Sequence, residues 1–212
     1  MKIKSITFVR FFCVLIGVSV LNACAVKQNK LAEHAQISIY IQDQDRIRFS
    51  GKGAGAGMMM SASMGAMGIA IGVAIDEGIA KEIHESYISS GYDFPTIVKA
   101  ETDAWLAKVC VEKTRDDRLC STNTELNIRI YHYGFVTAQG DGDPVKAELD
   151  IGFALGDRAE RRLHSKDADT PFQTDQLDVI KTDGDRSSAL LKDGYQRFLI
   201  LYETQVLSSL PE

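Results

Sequence analysis

Histidine and cysteine, on which much metal and nucleophile chemistry depends, are sparse in this 212-residue chain, with four of each. His34, His84, His132 and His164 are spread over 130 positions without an HxxxH or HExxH pair, so the helical zinc motifs are absent. Each reads as a surface or hydrogen-bonded structural histidine. Ser187 and Ser188 have no GxSxG turn around them. The GKGAG run at residues 51–55 puts its lysine before the last glycine, the reverse of a P-loop. Asp141, Asp143, Asp183 and Asp185 sit beside glycines, but the twelve-residue spacing of a calcium loop is missing and turn chemistry accounts for them. Arg158, Arg161 and Arg162 make a small basic spot in a polar stretch. The formal charge is −5 and no larger Lys/Arg cluster offsets it, which disfavours nucleic acid as a partner. With no catalytic constellation and no cofactor motif, a non-enzymatic protein is expected.

What is present begins at the amino terminus. Lys2, Lys4 and Arg10 form a positive region, followed by an uncharged run over residues 11–21, too short for an ordinary transmembrane helix. Leu21-Asn22-Ala23-Cys24 then resembles the lipobox of bacterial lipoproteins, with Asn22 bulkier than the usual small residue. The resemblance implies a signal peptide over residues 1–23 and Cys24 as the new terminus, carrying diacylglycerol on its thiol and an acyl chain on its amine. Two or three chains anchor a protein stably where one does not. The alternative is a plain secretory signal cut after Ala23. Ala25, where inner-membrane cargo carries Asp, resembles outer-membrane cargo, and the expected address is the periplasmic side of the envelope. Loss of Lys2, Lys4 and Arg10 leaves 21 basic residues against 29 acidic, a formal charge of −8.

On that reading Cys13 leaves with the signal and Cys24 is acylated. Cys110 and Cys120 remain, ten positions apart, as expected disulfide partners in an oxidising compartment.

Residues 24–35 are polar and aperiodic, suited to a tether. Residues 36–41 alternate Ile37, Ile39 and Ile41 with polar neighbours and read as a strand, and 46–49 continue the pattern after a polar break, as a bulged strand or a hairpin. Ile79, Ile83 and Tyr87 mark a helix over 76–88, and Asp93 and Pro95 open another, with Ile97, Ala100, Ala104 and Val109 as candidate core and Trp105 as an anchor. Residues 125–138 and 145–155 read as a β-hairpin around the QGDGDP turn, residues 156–171 as polar loop and 172–180 as a further strand. Leu191, Tyr195, Phe198, Tyr202 and Val206, with Leu199 and Leu210 adjoining, mark an amphipathic helix over 187–210. The expected fold is α+β over residues 36–210, a small antiparallel sheet with helices on one face. Its element order is similar to the small periplasmic domains of auxiliary lipoproteins that accompany ABC transporters and other envelope machines.

Residues 53–75 stand apart: 23 residues without a charge, holding six Gly, six Ala, five Met and two Ser. As one helix the segment would run about 34 Å at ~1.5 Å per residue. Gly53, Gly57, Ser61, Gly65, Gly68 and Gly72 put a flat stripe on such a helix, allowing another backbone to approach closely. In this the segment resembles the glycine-zipper stretches of outer-membrane lipoproteins, which often occur in pairs as a hairpin, although one stretch is plain here. Three readings stay open: a membrane-contacting or oligomerising stripe, a buried helix or helical pair packed within the domain or against partners, and a copper site at Met60, Met64 and Met67, whose thioethers suit Cu(I).

The expectation for function is thus an accessory or structural lipoprotein, anchored at Cys24. It would contact membrane, a protein partner or further copies of itself through residues 53–75. The alternative is a ligand- or partner-binding module of a transport system.

Overall fold

A computed structural model describes residues 34–42, 45–112, 118–138, 144–168 and 171–204, all within the unit Ala32–Glu212. The expected signal peptide, Cys24 and most of the tether lie outside the described residues, as do Val206 and Leu210. Strand β1 (Gln36–Ile41) is followed by β2 (Arg48–Ser50), then helices α1 (Lys52–Met64), α2 (Ala66–Ser89) and α3 (Phe94–Glu112). The long strands β3 (Glu125–Thr137) and β4 (Pro144–Leu155) come next, then β5 (Arg161–His164), a 3-10 turn, and β6 (Thr174–Gln176). Helices α4 (Leu177–Thr182) and α5 (Gly184–Tyr202) close the order.

The α+β expectation holds, with one change in the sheet. β3 and β4 pair antiparallel, and β5 and β6 pair antiparallel along the outer side of β4. β1 and β2, however, both run parallel to β3, with Ile39 opposite Ile128 and Phe49 opposite Phe135. The sheet is therefore mixed. The reason lies in the connection: three helices intervene between β2 and β3, and so long a crossover returns the chain to the same end of the sheet. The break at Gln42 leaves β1 and β2 as successive pieces of one edge, so the interrupted-strand reading is correct and a hairpin there is not.

One face of the sheet makes the core. Val145, Ala147, Leu149, Ile151, Phe153 and Leu155 on β4 are all buried, as the alternation requires. On β3 the buried set runs Leu126, Ile128, Ile130, then Tyr133 and Phe135, because a bulge at Tyr131 shifts the parity. Helix α5 covers this face with Leu191, Tyr195, Phe198, Leu199 and Tyr202, starting where Asp183 accepts from the N–H groups of Asp185 and Arg186. It approaches β4 so closely that a Cβ on Gly194 would stand 2.8 Å from the Ala147 Cβ. Helix α3 joins it through a buried contact between the Thr102 and Tyr195 hydroxyls at 2.7 Å.

Three expected details change. On α3, Ala100 and Ala104 are exposed, and the buried row is Phe94, Val98, Thr102, Leu106 and Val109, with Ile97 and Trp105 half-buried. Residues 156–171 contain β5, in which Leu163 alone turns inward between Arg162 and His164. Residues 177–182 are helical, and only residues 174–176 extend the sheet.

Cys110 at the end of α3 and Cys120 come within disulfide distance, with Cα atoms 5.4 Å apart. The bridge closes a loop of about ten residues next to Leu119, which is fully buried and whose carbonyl accepts from Ala35 N–H at 2.7 Å. Constraining so short a loop in the unfolded chain stabilises the fold by roughly 2–3 kcal/mol. A Cys110→Ala/Cys120→Ala variant is expected to lose that much in urea denaturation. An unchanged midpoint would show that the bridge does not form or that strain cancels it.

Candidate functional site

The charge-free segment is not one helix. It folds back on itself at Gly65, where φ is 56°, a left-handed conformation that side chains other than glycine adopt at a cost. The result is an antiparallel helical hairpin built from α1 and the first turns of α2. Its contact surface is the small-residue stripe. A Cβ on Gly72 would lie 2.3 Å from the Gly53 carbonyl oxygen, and one on Gly68 would lie 2.4 Å from the backbone of Met60 and Ser61. Gly57 sits between them, 3.4 Å from Gly68 O and Gly72 Cα by the same measure. Gly53, Gly57, Gly68 and Gly72 are buried by this contact, Ser61 is half-buried, and Gly65 is exposed at the tip. The stripe expected to meet another backbone meets its own continuation, and the second zipper stretch is the Gly68 and Gly72 half of the same segment.

Five of the six glycines lie within the two helices and oppose helix formation by roughly 1 kcal/mol each relative to alanine. Close backbone packing offsets part of that, and Asp76 offsets more. Its carboxylate, one residue past the charge-free stretch, accepts from Gly53 N–H at 2.7 Å and Gly51 N–H at 3.2 Å. A carboxylate at the amino-terminal turn of α1 satisfies free donors and complements the helix dipole. Gly51 itself, at φ 127°, makes the turn from β2 into α1.

The opposite surface of the hairpin is apolar and open to solvent. Met58 is 74% exposed, Met59 77% and Met67 63%, with Met64, Ile69 and Val73 also exposed. The chain has six methionines, so every one but Met1 lies on this hairpin. Met60 and Met64 belong to α1 and Met67 to α2, across the turn, which removes the single-helix spacing on which a copper site was considered. Polar groups near the tip are paired within the hairpin: Ser61 Oγ donates to Met58 O, Ser63 Oγ to Met60 O, Gly65 N–H to Ser61 O and Gly68 N–H to Gly65 O. Charge returns only at the base, where Lys52 opens α1 and Arg46 pairs with Glu77 at 3.2 Å. Among the described residues no helix is long and apolar enough to cross a membrane.

A second cluster lies on the sheet face turned away from the helices. His132 on β3, Asp150 on β4 and His164 on β5 are direct cross-strand neighbours, and Glu148 follows Asp150 two positions along β4. Asp150 is buried and takes a bidentate pair from Arg162, whose Nε donates at 2.7 Å. Burial pushes the Asp150 carboxyl up, but the hydrogen bonds and charge of Arg162 outweigh it and hold the group below the usual carboxylate range. Burial pulls His132 down, against the nearby carboxylates of Asp150 and Glu148, so it favours the neutral imidazole. Arg162 also lies 3.8 Å over the Tyr131 ring. Residue spacing along the chain hides this grouping, because the histidines are 32 positions apart and meet only through strand pairing. His34 lies 3.8 Å from Asp103, and His84 accepts from Ile47 N–H, both away from the cluster. Ser187 is buried with its hydroxyl on Ile180 O, a structural role.

Comparison with protein families, with curated proteins and with solved structures finds no match to this chain.

The zipper contact sets a graded expectation for alanine substitutions. Gly68→Ala and Gly72→Ala force the two backbones apart and are expected to lower stability by roughly 1–3 kcal/mol. Gly57→Ala fits in ordinary contact, and Gly78→Ala, with nothing within 4 Å of its Cβ, is expected to stabilise α2 by roughly 0.5–1 kcal/mol. Denaturation of the four variants, with hydrogen exchange over residues 53–75, checks the order. Equal effects at Gly57 and Gly72 would contradict the contact.

Proposed function

We propose that the chain is a non-enzymatic envelope lipoprotein, anchored by lipid at Cys24, whose glycine-zipped hairpin dips into the outer part of a bilayer. One observation carries this reading: an exposed, charge-free hairpin whose serine hydroxyls and whose Gly65 and Gly68 amides are paired within the hairpin itself. Hydrocarbon offers no partners for stray N–H and C=O groups, so a segment entering it must satisfy them internally. The uncharged part of α1, 12 residues, is about 18 Å long at ~1.5 Å per residue. That is close to one leaflet's share of a hydrocarbon core about 30 Å thick. The hairpin is thus sized to enter one leaflet without crossing. Half a dozen Met, Ile and Val side chains moving from water to hydrocarbon supply on the order of 5–10 kcal/mol. Arg46, Lys52, Asp76 and Glu77 gather at the base, where headgroups and water begin.

The tether suits the same geometry. Ala35 is buried in the domain, so the expected tether shortens to residues 24–33, which would reach about 34 Å if extended at ~3.4 Å per residue, enough for lipid and hairpin to engage one membrane together. A second attachment also fixes orientation, which a single point of attachment does not. That supports an accessory or structural role in which the domain is presented to a partner at the envelope. The resemblance of Ala25 to outer-membrane cargo favours the outer membrane. The alternative, a partner-binding module, draws on the shallow groove of about 270 Å³ beside the zipper, lined by Ala54, Met58, Ile69 and Val73. Methionine-rich surfaces adapt readily to proteins. Oligomers of this chain would meet through the methionine face, since the stripe is already occupied.

Two measurements separate these readings. Radioactive palmitate is expected to label the wild type and not Cys24→Ala; label retained in the variant would sink the anchor. In vesicle flotation, Cys24→Ala is expected to rise with the lipid through its hairpin, and adding Met58→Asp, Met67→Asp and Val73→Asp is expected to leave the chain at the bottom. Flotation unchanged by the three aspartates would rule out membrane contact through the hairpin. Failure of Cys24→Ala to float at all, with retention in size-matched complexes, would favour the partner-binding module.

A further inference from the structure

The outer face of the sheet holds a donor set that the proposed function does not use. His132, Glu148 and His164 come from three adjacent strands, and one ligand atom from each lies within 4.8 Å of the other two. The two imidazole rings stand edge to face, with centroids 5.9 Å apart, over the backbone of β4. All three side chains are half-buried: close enough to the sheet to be held, open enough to admit an ion. From this juxtaposition we infer that His132, Glu148 and His164 form a site for a first-row divalent transition ion, with zinc as the reference ion.

The chemistry of the donors selects the class. Two imidazoles and one carboxylate suit zinc and its neighbours, whereas calcium and magnesium prefer oxygen donors throughout. Zinc binds such ligands at about 2.0–2.2 Å, which places them roughly 3.3–3.5 Å apart around a tetrahedron, so closing the set needs side-chain shifts of about an ångström. Three protein ligands leave one position for water.

The surroundings complete the site. Asp150 Oδ2 lies 3.6 Å from His132 Nδ1, beyond hydrogen-bond distance but near enough for its charge to favour a cation beside the ring. Asp150 is itself fixed by Arg162. Glu148 Oε2 accepts from Ser50 Oγ at 3.3 Å, which holds the carboxylate toward β2. His164 Nδ1 accepts from Lys166 N–H at 3.2 Å, which leaves the ring proton on Nε2, so ligation through either nitrogen gives up this local bond. Arg48, on the same face, opposes a cation, and Glu148 offsets it. An ion here would pin β5, a four-residue strand, to the two long strands.

Isothermal titration of the untagged full chain in detergent, stripped with chelator and titrated with zinc chloride, tests the site. One equivalent of saturable binding is expected, and cobalt(II) is expected to give the visible absorption of a nitrogen- and oxygen-ligated tetrahedral ion. His132→Ala and His164→Ala each remove a ligand and should weaken binding by roughly a hundredfold or more, and Asp150→Asn, which removes only a nearby charge, should weaken it less. His34→Ala/His84→Ala should leave binding unchanged. If a histidine variant fails to fold, the glutamine substitution and the cobalt spectrum of the wild type still decide. No saturable binding would overturn the proposal, as would binding that survives loss of His132 and His164 or vanishes with His34 and His84.

Discussion

The register between β3 and β4 is the constraint on which the molecule depends. Strand side chains alternate between faces, so a shift of one residue would turn every inward group outward. The two strands pair from Leu126 opposite Leu155 to Thr137 opposite Val145, with one bulge between Ile130 and His132. Before the bulge, even-numbered residues of β3 face the helices; after it, odd-numbered ones do. That single extra residue turns Tyr133 and Phe135 into the core and His132 out of it, beside Asp150. Without the bulge, an imidazole would stand where Tyr133 now stacks on Phe94 with ring centroids 4.4 Å apart.

The same sheet explains where the hairpin springs from. β1 and β2 share one edge of β3, and β2 is only three residues long. Beyond it, Gly51 turns the chain out of the sheet and Asp76 binds the two helices together at their base. Helix α2 then continues past the charge-free stretch into the domain, burying Ala80, Ile83 and Tyr87. One helix is therefore half domain core and half exposed hairpin. The hairpin is held by backbone contact between glycines, which leaves its large apolar side chains free to face outward. An ordinary soluble hairpin would do the reverse, with large side chains between the helices and polar ones outside. Inversion of that pattern is the physical content of the membrane proposal.

Much of this was legible in the sequence where one local rule decided the outcome. The alternation of β4 and the 3.6-residue pattern of Leu191 to Tyr202 each named their buried faces, and the isoleucines of β1 named a half-buried one. Where long-range pairing decided, the sequence was silent. β5 has a single inward residue, Leu163, too few for alternation to show. Ala100 and Ala104 share a helical spacing but point to solvent, because the size of Phe94, Val98 and Leu106 fixes which face of α3 meets the sheet. The glycine stripe was visible, whereas its fold-back was not: Gly65 keeps the four-residue spacing and looks like one more stripe member. The histidine pair was hidden twice, by 32 intervening residues and by the bulge that sets the face of His132.

The central claim is that the hairpin rests in hydrocarbon. Trp105 is the chain's one tryptophan, so Trp105→Phe with Met67→Trp places a single reporter near the hairpin tip. Fluorescence of this variant in vesicles, quenched by lipids brominated along the acyl chain or by iodide in water, reads the depth directly. The account predicts strong quenching by brominated lipid and weak quenching by iodide. Full access to iodide, with no effect of brominated lipid, would contradict it.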